Sequence, residues 1–100
     1  MKKKAKLNAI LVRQTSKVLR SIAHPDRLRI VEYLEQKEKS VGEITKALRL
    51  TQAVISKHLA VLRRDGIVAN SVQANYRYYS ITHPGVIHIL NCMRKYGGTS

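Results

Sequence analysis

The stretch that most restricts the possible folds of this chain runs from Leu50 to Val68 and reads LTQAVISKHLAVLRRDGIV. Its apolar residues recur at helical spacing and predict one buried face: Ile55, Leu59 and Leu62. Thr51 is a good N-cap residue for this helix. Asp65-Gly66 can end it, because glycine adopts the left-handed conformation beyond a helix at little cost. The sequence therefore predicts an amphipathic helix with a defined start and end.

The opposite face of this predicted helix carries polar and cationic side chains: Gln52, Ser56, Lys57, Arg63 and Arg64. Short polar groups at the front, with cations behind them, suit a helix whose N-terminal end reads base edges while other groups hold phosphates. An ordinary amphipathic surface helix would show a similar pattern. Residues elsewhere in the chain distinguish a DNA-reading helix from an ordinary surface helix.

The overall charge favours the first interpretation. Nineteen Lys and Arg residues stand against six Asp and Glu residues, which gives a net charge of +13 and a pI near 10.4. Such an excess indicates a polyanionic partner, usually nucleic acid, although a solubilising surface or an anionic membrane surface are alternatives. No apolar run approaches the roughly 20 residues that span a bilayer, and no signal peptide is recognisable. With a single cysteine, Cys92, we expect a cytoplasmic, nucleoid-associated protein that spans no membrane.

The length of 100 residues fits one small domain. Residues 1–6 read as a flexible basic arm and residues 7–97 as a single domain. A first helix is predicted from an apolar stripe: Leu7, Ile10, Leu11, Val18 and Ile22. Pro25 suits the first position of a second helix, where no amide hydrogen is needed. Ser40 and Glu43 form a capping-box pattern at the start of a short third helix.

A tight turn at Arg49-Leu50 joins this third helix to the one described first, which gives a helix-turn-helix signal. Beyond them the period of the sequence changes. Residues 67–72 and 76–81 are rich in β-branched and aromatic side chains and predict a β-hairpin. Asn75 lies in its turn and tolerates the left-handed backbone that such turns require.

A last helix is predicted from Pro84 onward, with an apolar stripe of four residues: Val86, Ile89, Leu90 and Met93. The predicted fold is therefore mainly α with a β-hairpin. It is a winged helix-turn-helix of five helices and a two-stranded wing.

This order of elements resembles the ArsR–SmtB family of winged-helix transcriptional repressors, over about Val18 to Tyr96. The segments that carry the resemblance are LRSIAHPDRLRIVEYL, SVGEITKALRLTQAVISKHLAVLRRDGIV and NYRYYSI. The resemblance implies a homodimer that binds a roughly palindromic operator in double-stranded DNA. It also implies a dimer interface made by the first and last helices, whose candidate residues are Leu7, Ile10, Leu11, Val18, Val86, Ile89, Leu90 and Met93.

The resemblance also assigns the DNA-binding residues. Gln52, Ala53 and Ser56 match the base-facing positions of the family's recognition helix, and a glutamine can bond adenine in two places. The other candidates, for phosphate or wing contacts, are Thr51, Lys57, His58, Arg63, Arg64, Asn75 and Arg77. For Arg63 and Arg64 the alternative is a solvated side chain. For His58, packing or phosphate binding is favoured over base reading. Many family members carry Arg where this chain has Asn75, and Arg77 could take over that role.

No metal site is expected at either position that the family uses. The third-helix Cys-x-Cys-Asp pattern is replaced here by Ser40, Val41, Gly42 and Glu43. The last-helix ligand positions fall at His83, Gly85, Tyr96 and Thr99. Only His83 among these four can bind a metal, and one ligand is not a site. We predict no cofactor and no metal.

Cys92 and its neighbour His88, one helical turn away, are candidate sensing residues, because a nearby histidine can lower a thiol pKa. The alternative for Cys92 is a small packing residue at the dimer interface. The inducing signal is unknown.

The leading interpretation is a sequence-specific DNA-binding transcriptional repressor that acts as a homodimer. One alternative is an architectural, nucleoid-type DNA-binding protein with little sequence preference, and another is a thiol- or redox-responsive regulator acting through Cys92. An RNA-binding winged helix would need exposed aromatic residues, which only the wing tyrosines supply. An enzyme is not expected, since six acidic residues, no glycine-rich phosphate loop and no nucleophile with a matched base leave nothing for catalysis.

Overall fold

The structure is a computed structural model that describes residues 4–97. The predicted order of elements is confirmed. The bounds are α1 (Ala9–Ile22), α2 (Pro25–Leu34), β1 (Lys39–Ser40), α3 (Val41–Leu48), α4 (Gln52–Arg64), β2 (Val68–Gln73), β3 (Tyr76–Ile81) and α5 (Pro84–Gly97). Within this range no helix has the length and apolarity to cross a membrane. Residues 1–3 of the predicted basic arm lie outside the described residues.

Side-chain caps fix where the helices begin. Ser40 and Glu43 form the predicted capping box at α3, with the Ser40 hydroxyl accepting the Glu43 amide at 3.1 Å and the Glu43 carboxylate accepting the Ser40 amide at 2.9 Å. Thr51 is the predicted N-cap of α4, and its hydroxyl oxygen accepts the Val54 amide at 3.2 Å. Asn8 caps α1 in the same way and was not predicted. Leu7 therefore lies just before the first helix.

Left-handed backbone conformations occur at the turns. Gly66 has φ +75° directly after α4, as predicted, and Arg49 has φ 58° in the turn between α3 and α4. In the wing turn it is Ala74, with φ 56°, and not Asn75 that adopts a positive φ. A positive φ at only the first central residue is the pattern of a type II′ hairpin turn.

The sheet has three strands, in the order β1–β3–β2, all antiparallel. The predicted hairpin is β2 and β3. The additional strand, Lys39–Ser40, pairs with Tyr79 and Tyr78 of β3. Sequence analysis missed it because two residues are too few to show an alternating pattern. Lys39 is buried there, with its Nζ 4.5 Å from the centre of the Tyr33 ring, a cation–π contact.

One apolar core joins the helices to the sheet. The predicted stripe of α4 lies in it, and every residue of that stripe has no exposed surface: Ile55, Leu59 and Leu62. Val86 and Leu90 of α5 belong to the same core, with exposed fractions of 0% and 5%. The sequence analysis placed both at the dimer interface, but side chains buried within the chain have no surface left for a partner. An apolar stripe alone does not show which neighbour covers it.

Arg94 holds α5 against the end of α2. Its two guanidinium NH2 groups donate to the two Glu35 carboxylate oxygens at 2.6 and 3.3 Å, and one of them also donates to Asn91 at 2.9 Å. These hydrogen bonds keep the pKa of Glu35 below its ordinary value.

Candidate nucleic-acid interface

The first turn and outer face of α4 are exposed to solvent. Gln52, the first residue of the helix, and Ala53 and Ser56 are all exposed. The start of a helix carries a partial positive charge and unpaired amide groups. A polar side chain that extends from this end can therefore approach the electronegative groove of a duplex with the helix dipole in its favour.

Thr51 lies at the same end and is exposed. Its hydroxyl oxygen already accepts the Val54 amide. A threonine hydroxyl has one hydrogen to donate besides the lone pairs that accept. Thr51 can therefore cap α4 and donate to a phosphate oxygen at the same time.

A cleft of about 450 Å³ connects α4 with the wing. Three predicted DNA-binding residues line it together: Gln52, Asn75 and Arg77. The structure adds residues that sequence analysis did not single out, among them Thr45 and Lys46 of α3 and Tyr76 of β3. The fold thus brings the front of the helix and the turn of the wing to one surface.

This surface contains no acidic side chain on α4 or the wing. No Asp or Glu occurs in residues 44–64 or 66–97. The exposed Lys and Arg residues of α3, the turn after it, α4 and the wing are Lys46, Arg49, Lys57, Arg63, Arg64 and Arg77. Lys46 and Arg49 were missed by the sequence analysis because they belong to α3 and its turn. Cations without interspersed carboxylates give a positive field that attracts phosphates.

Arg64 is engaged elsewhere. Its guanidinium donates to both carboxylate oxygens of Asp65, at 3.1 and 3.2 Å. With a rise of about 1.5 Å per residue, Arg64 lies about 18 Å along the helix from Gln52. Arg64 therefore lies far from the cleft, whereas Lys57 is exposed nearer the front of α4.

His58 faces inward. It is 8% exposed, its ring centre lies 4.5 Å from that of His24, and its Nε2 lies 3.8 Å from a carboxylate oxygen of Asp26. Burial lowers the pKa of His58 below its ordinary value, and the charges of His24 and Arg27 act in the same direction. The ring therefore packs inside the domain. Packing was one of the two roles predicted for His58, and its burial leaves little of the ring for DNA.

The outer surfaces of α1 and α5 are apolar. Exposed residues from the predicted dimer interface are Leu7, Ile10, Leu11 and Met93, while Val18 and Ile89 are half-buried. Val12, Leu19 and Tyr96 are also exposed and were not predicted. Cys92 and His88 are exposed on the same helix, α5. The two helices flank one groove, lined by Leu11, Val18, Leu19 and Ile89 among others.

The two positions at which the family binds metals hold other contacts. Ser40 and Glu43 bond to each other in the capping box. The His83 Nδ1 accepts the Gly85 amide at 3.1 Å, at the start of α5. Thr99 lies outside the described residues.

A helix-turn-helix followed by an antiparallel wing, with a basic surface at the front of the second helix, defines a winged-helix DNA-binding domain. Residues 24–70 match the arsR family of bacterial regulatory proteins. The chain belongs to that family. It is therefore a DNA-binding transcriptional regulator and not an enzyme.

Named relatives support this assignment. The transcriptional activator HlyU of Vibrio cholerae is 35% identical over 78 residues, which cover 78% of this chain and 72% of HlyU. The transcriptional repressor PagR of Bacillus anthracis is 34% identical over 90 residues, which cover 86% of this chain and 90% of PagR.

Solved structures show the same fold. HlyU of Vibrio cholerae matches with a TM-score of 0.79 and 34% identity, covering 87% of this chain and 96% of that one. The transcriptional repressor BigR of Xylella fastidiosa matches with a TM-score of 0.84 and 27% identity, covering 89% and 91%.

Proposed function

We propose that the protein is a homodimeric repressor that reads an inverted-repeat operator with one α4 from each subunit. The observation that carries the proposal is the cleft in which Gln52 at the front of α4 meets Asn75 and Arg77 of the wing. A helix front and a wing on one basic surface can engage a groove and the adjacent backbone together.

Each DNA-facing group has a distinct task in this proposal. Gln52 and Ser56 read base edges in the major groove, where each base pair presents its own set of donors and acceptors. Thr51, Lys46 and Lys57 bind phosphates. Arg77 contacts the DNA next to the major groove from its position on the wing.

The dimer is supported by where exposed apolar side chains lie. Seven of the ten large apolar residues exposed in the described chain belong to α1, its lead-in or α5: Leu7, Ile10, Leu11, Val12, Leu19, Met93 and Tyr96. A concentration of this kind on a small soluble domain indicates a protein interface. In a two-fold dimer the two α4 helices would reach major grooves about 34–36 Å apart.

The first test is selection of bound duplexes from a random-sequence DNA library at near-physiological salt. The proposal expects an enriched inverted repeat whose half-sites are about one helical turn apart. Tight binding without enrichment would favour the architectural alternative, in which charge alone supplies affinity.

A second test addresses the dimer. Ile10→Asp places a charge on the proposed interface at a side chain that is 69% exposed, so the monomer fold should tolerate it. Val72→Asp is a matched control on the wing strand β2, outside α1 and α5, where the apolar side chain is 64% exposed. Sedimentation should show monomers for Ile10→Asp and dimers for Val72→Asp. Dimers for both would contradict the proposed interface.

The sign of regulation needs its own measurement, since HlyU is named an activator and PagR a repressor. We expect a reporter with the selected operator across its promoter to lose expression when the protein is present. A gain of expression would show that the protein is an activator at this operator.

The exposure of Cys92 favours one second candidate, a thiol-responsive regulator. Oxidant should then produce a disulfide-linked dimer on a non-reducing gel and change DNA affinity, and Cys92→Ser should abolish both effects. DNA affinity that is unchanged by oxidant would leave Cys92 as a packing residue.

A further inference from the structure

Three side chains that can bind a metal come together between α2 and α4. His24 caps α2, Asp26 lies in its first turn, and His58 lies in the middle of α4. One donor atom from each residue lies within 4.8 Å of those from the other two. This cluster, His24–Asp26–His58, is the only such group of three or more His, Cys, Asp or Glu residues within residues 4–97.

We propose that this cluster is a site for a divalent transition-metal ion of the zinc class. Two imidazoles and one carboxylate are a ligand set that such ions take, and three protein ligands leave one position for water. Ligands at about 2.0–2.1 Å from zinc stand about 3.4 Å apart in a tetrahedron. Separations within 4.8 Å therefore require the side chains to close by about 1 Å or a little more, which rotamer adjustments can supply.

The contacts around the cluster show how its ligands are oriented. The His24 Nδ1 accepts the Asp26 amide at 3.0 Å, and its Nε2 takes no part in that bond. The His58 Nε2 faces Asp26, whereas its Nδ1 lies 3.4 Å from the Arg27 guanidinium. Arg27 also donates to the Ser21 carbonyl. The ion and Arg27 thus use opposite nitrogens of the His58 ring, and the Asp26 carboxylate offsets the charge that Arg27 adds.

The site is new with respect to the family resemblance. It lies neither at the third-helix position, here Ser40 to Glu43, nor at the last-helix position that includes His83. His58 lies more than thirty residues from His24 and Asp26 in sequence, and the three meet only because α2 packs against α4. An ion bound there would tie the helix that carries Gln52 and Ser56 to the start of α2.

The test is metal titration of the full chain without an affinity tag, in the absence of DNA, so that its outcome is independent of the proposed function. Zn²⁺ binding is measured by competition with a chromophoric chelator, and Co²⁺ binding by its visible absorption. We expect one ion per chain. His24→Gln and Asp26→Asn should each weaken binding by more than about tenfold.

The control changes a histidine outside the cluster. His88→Gln removes an exposed histidine of α5 and should leave the titration unchanged. The cluster variants are placed at half-buried His24 and Asp26, because a change at buried His58 can disturb the fold; circular dichroism checks each variant. No stoichiometric binding by the natural chain would overturn the proposal. So would equal binding by His24→Gln and Asp26→Asn, or an equal loss in His88→Gln.

Discussion

Lys17 of α1 lies beside Asp65 at the end of α4, with 3.8 Å between the Lys17 Nζ and the Asp65 carboxylate. The same carboxylate accepts both hydrogen bonds from Arg64, and its side chain is only 3% exposed. A nearly buried carboxylate with two cations ties α1 to α4. The hydrogen bonds from Arg64, above all, hold the pKa of Asp65 below its ordinary value.

Asp65→Asn should therefore destabilise the protein in a pH-dependent way. A lowered pKa means that the carboxylate stabilises the folded state above the pKa of the unfolded chain, about 3.9. That stabilisation is lost as the pH falls through the lower pKa of the folded state. At pH 7 we expect a loss of about 1–3 kcal/mol in the free energy of unfolding, the usual range when a buried charged hydrogen bond is broken.

Urea unfolding from pH 7 down to pH 3 measures this effect. The difference between Asp65→Asn and the natural chain should shrink at the acid end. Glu32→Gln, at a side chain that is 62% exposed, is the control and should change stability little. A variant as stable as the natural chain at pH 7 would show that the Asp65 contacts contribute nothing.

Ala74→Gly should stabilise the wing. Ala74 has φ 56°, a conformation that costs an L residue about 1–2 kcal/mol and glycine almost nothing. Glycine also gains freedom in the unfolded chain, which takes back about 0.4–1 kcal/mol. We expect a net gain of up to about 1.5 kcal/mol, measured by chemical denaturation.

The reciprocal variant is Gly66→Ala. Gly66 has φ +75°, and a Cβ built there meets no atom within 4 Å. The only cost is therefore that of placing an L residue in the left-handed backbone conformation. We expect a loss of about 1 kcal/mol in the free energy of unfolding. If both variants shifted stability in the same direction, the backbone explanation for Ala74 would not hold.

Thr51→Ala tests the cap of α4. Removing the hydroxyl leaves the Val54 amide without its acceptor and should cost about 1 kcal/mol of stability. Thr51→Ser keeps an oxygen at the same place and should retain most of it. Thermal unfolding of both variants, without DNA, separates the cap from any phosphate contact. Equal stability of Thr51→Ala and Thr51→Ser would show that the Thr51 hydroxyl does not stabilise α4.

Features with a local cause were predictable from the sequence. The Ser40–Glu43 box, the Thr51 cap and the turn at Gly66 each depend on a few neighbouring residues, and each is present in the structure. The stripe of α4 was likewise readable, because 3.6 residues per turn fix which side chains share a face. These features were enough to give the order of elements and the exposed front of α4.

Features that depend on long-range packing were not predictable. His24 and Asp26 meet His58 only through the contact of α2 with α4. Val86 reads as an interface residue until the core that covers it is known. Lys46 joined the candidate surface only when the fold set α3 beside the wing. Helical spacing shows that a face is apolar, but not what covers it.

In the proposed complex Gln52 reads a base and Lys46 binds a phosphate, and both residues line one cleft. Gln52→Ala should flatten the preference at one base pair of the selected operator by about 1–3 kcal/mol, or roughly 5- to 150-fold, because a bidentate contact is lost. Lys46→Ala should weaken binding to all duplexes alike. It should also reduce the slope of affinity against salt by about 1.

Arg64→Ala is the matched control. It also removes a cation of the basic segment, but this cation is already bound to Asp65. We expect DNA affinity to change little and stability to fall, since Asp65 loses its hydrogen bonds. Fluorescence anisotropy with the operator and its single-base-pair variants, over a salt series, measures all three proteins. If Gln52→Ala lost affinity uniformly across these duplexes, Gln52 would be a phosphate contact and base reading would have to rest on Ser56. If Arg64→Ala weakened binding as much as Lys46→Ala, the DNA surface would extend to the far end of α4.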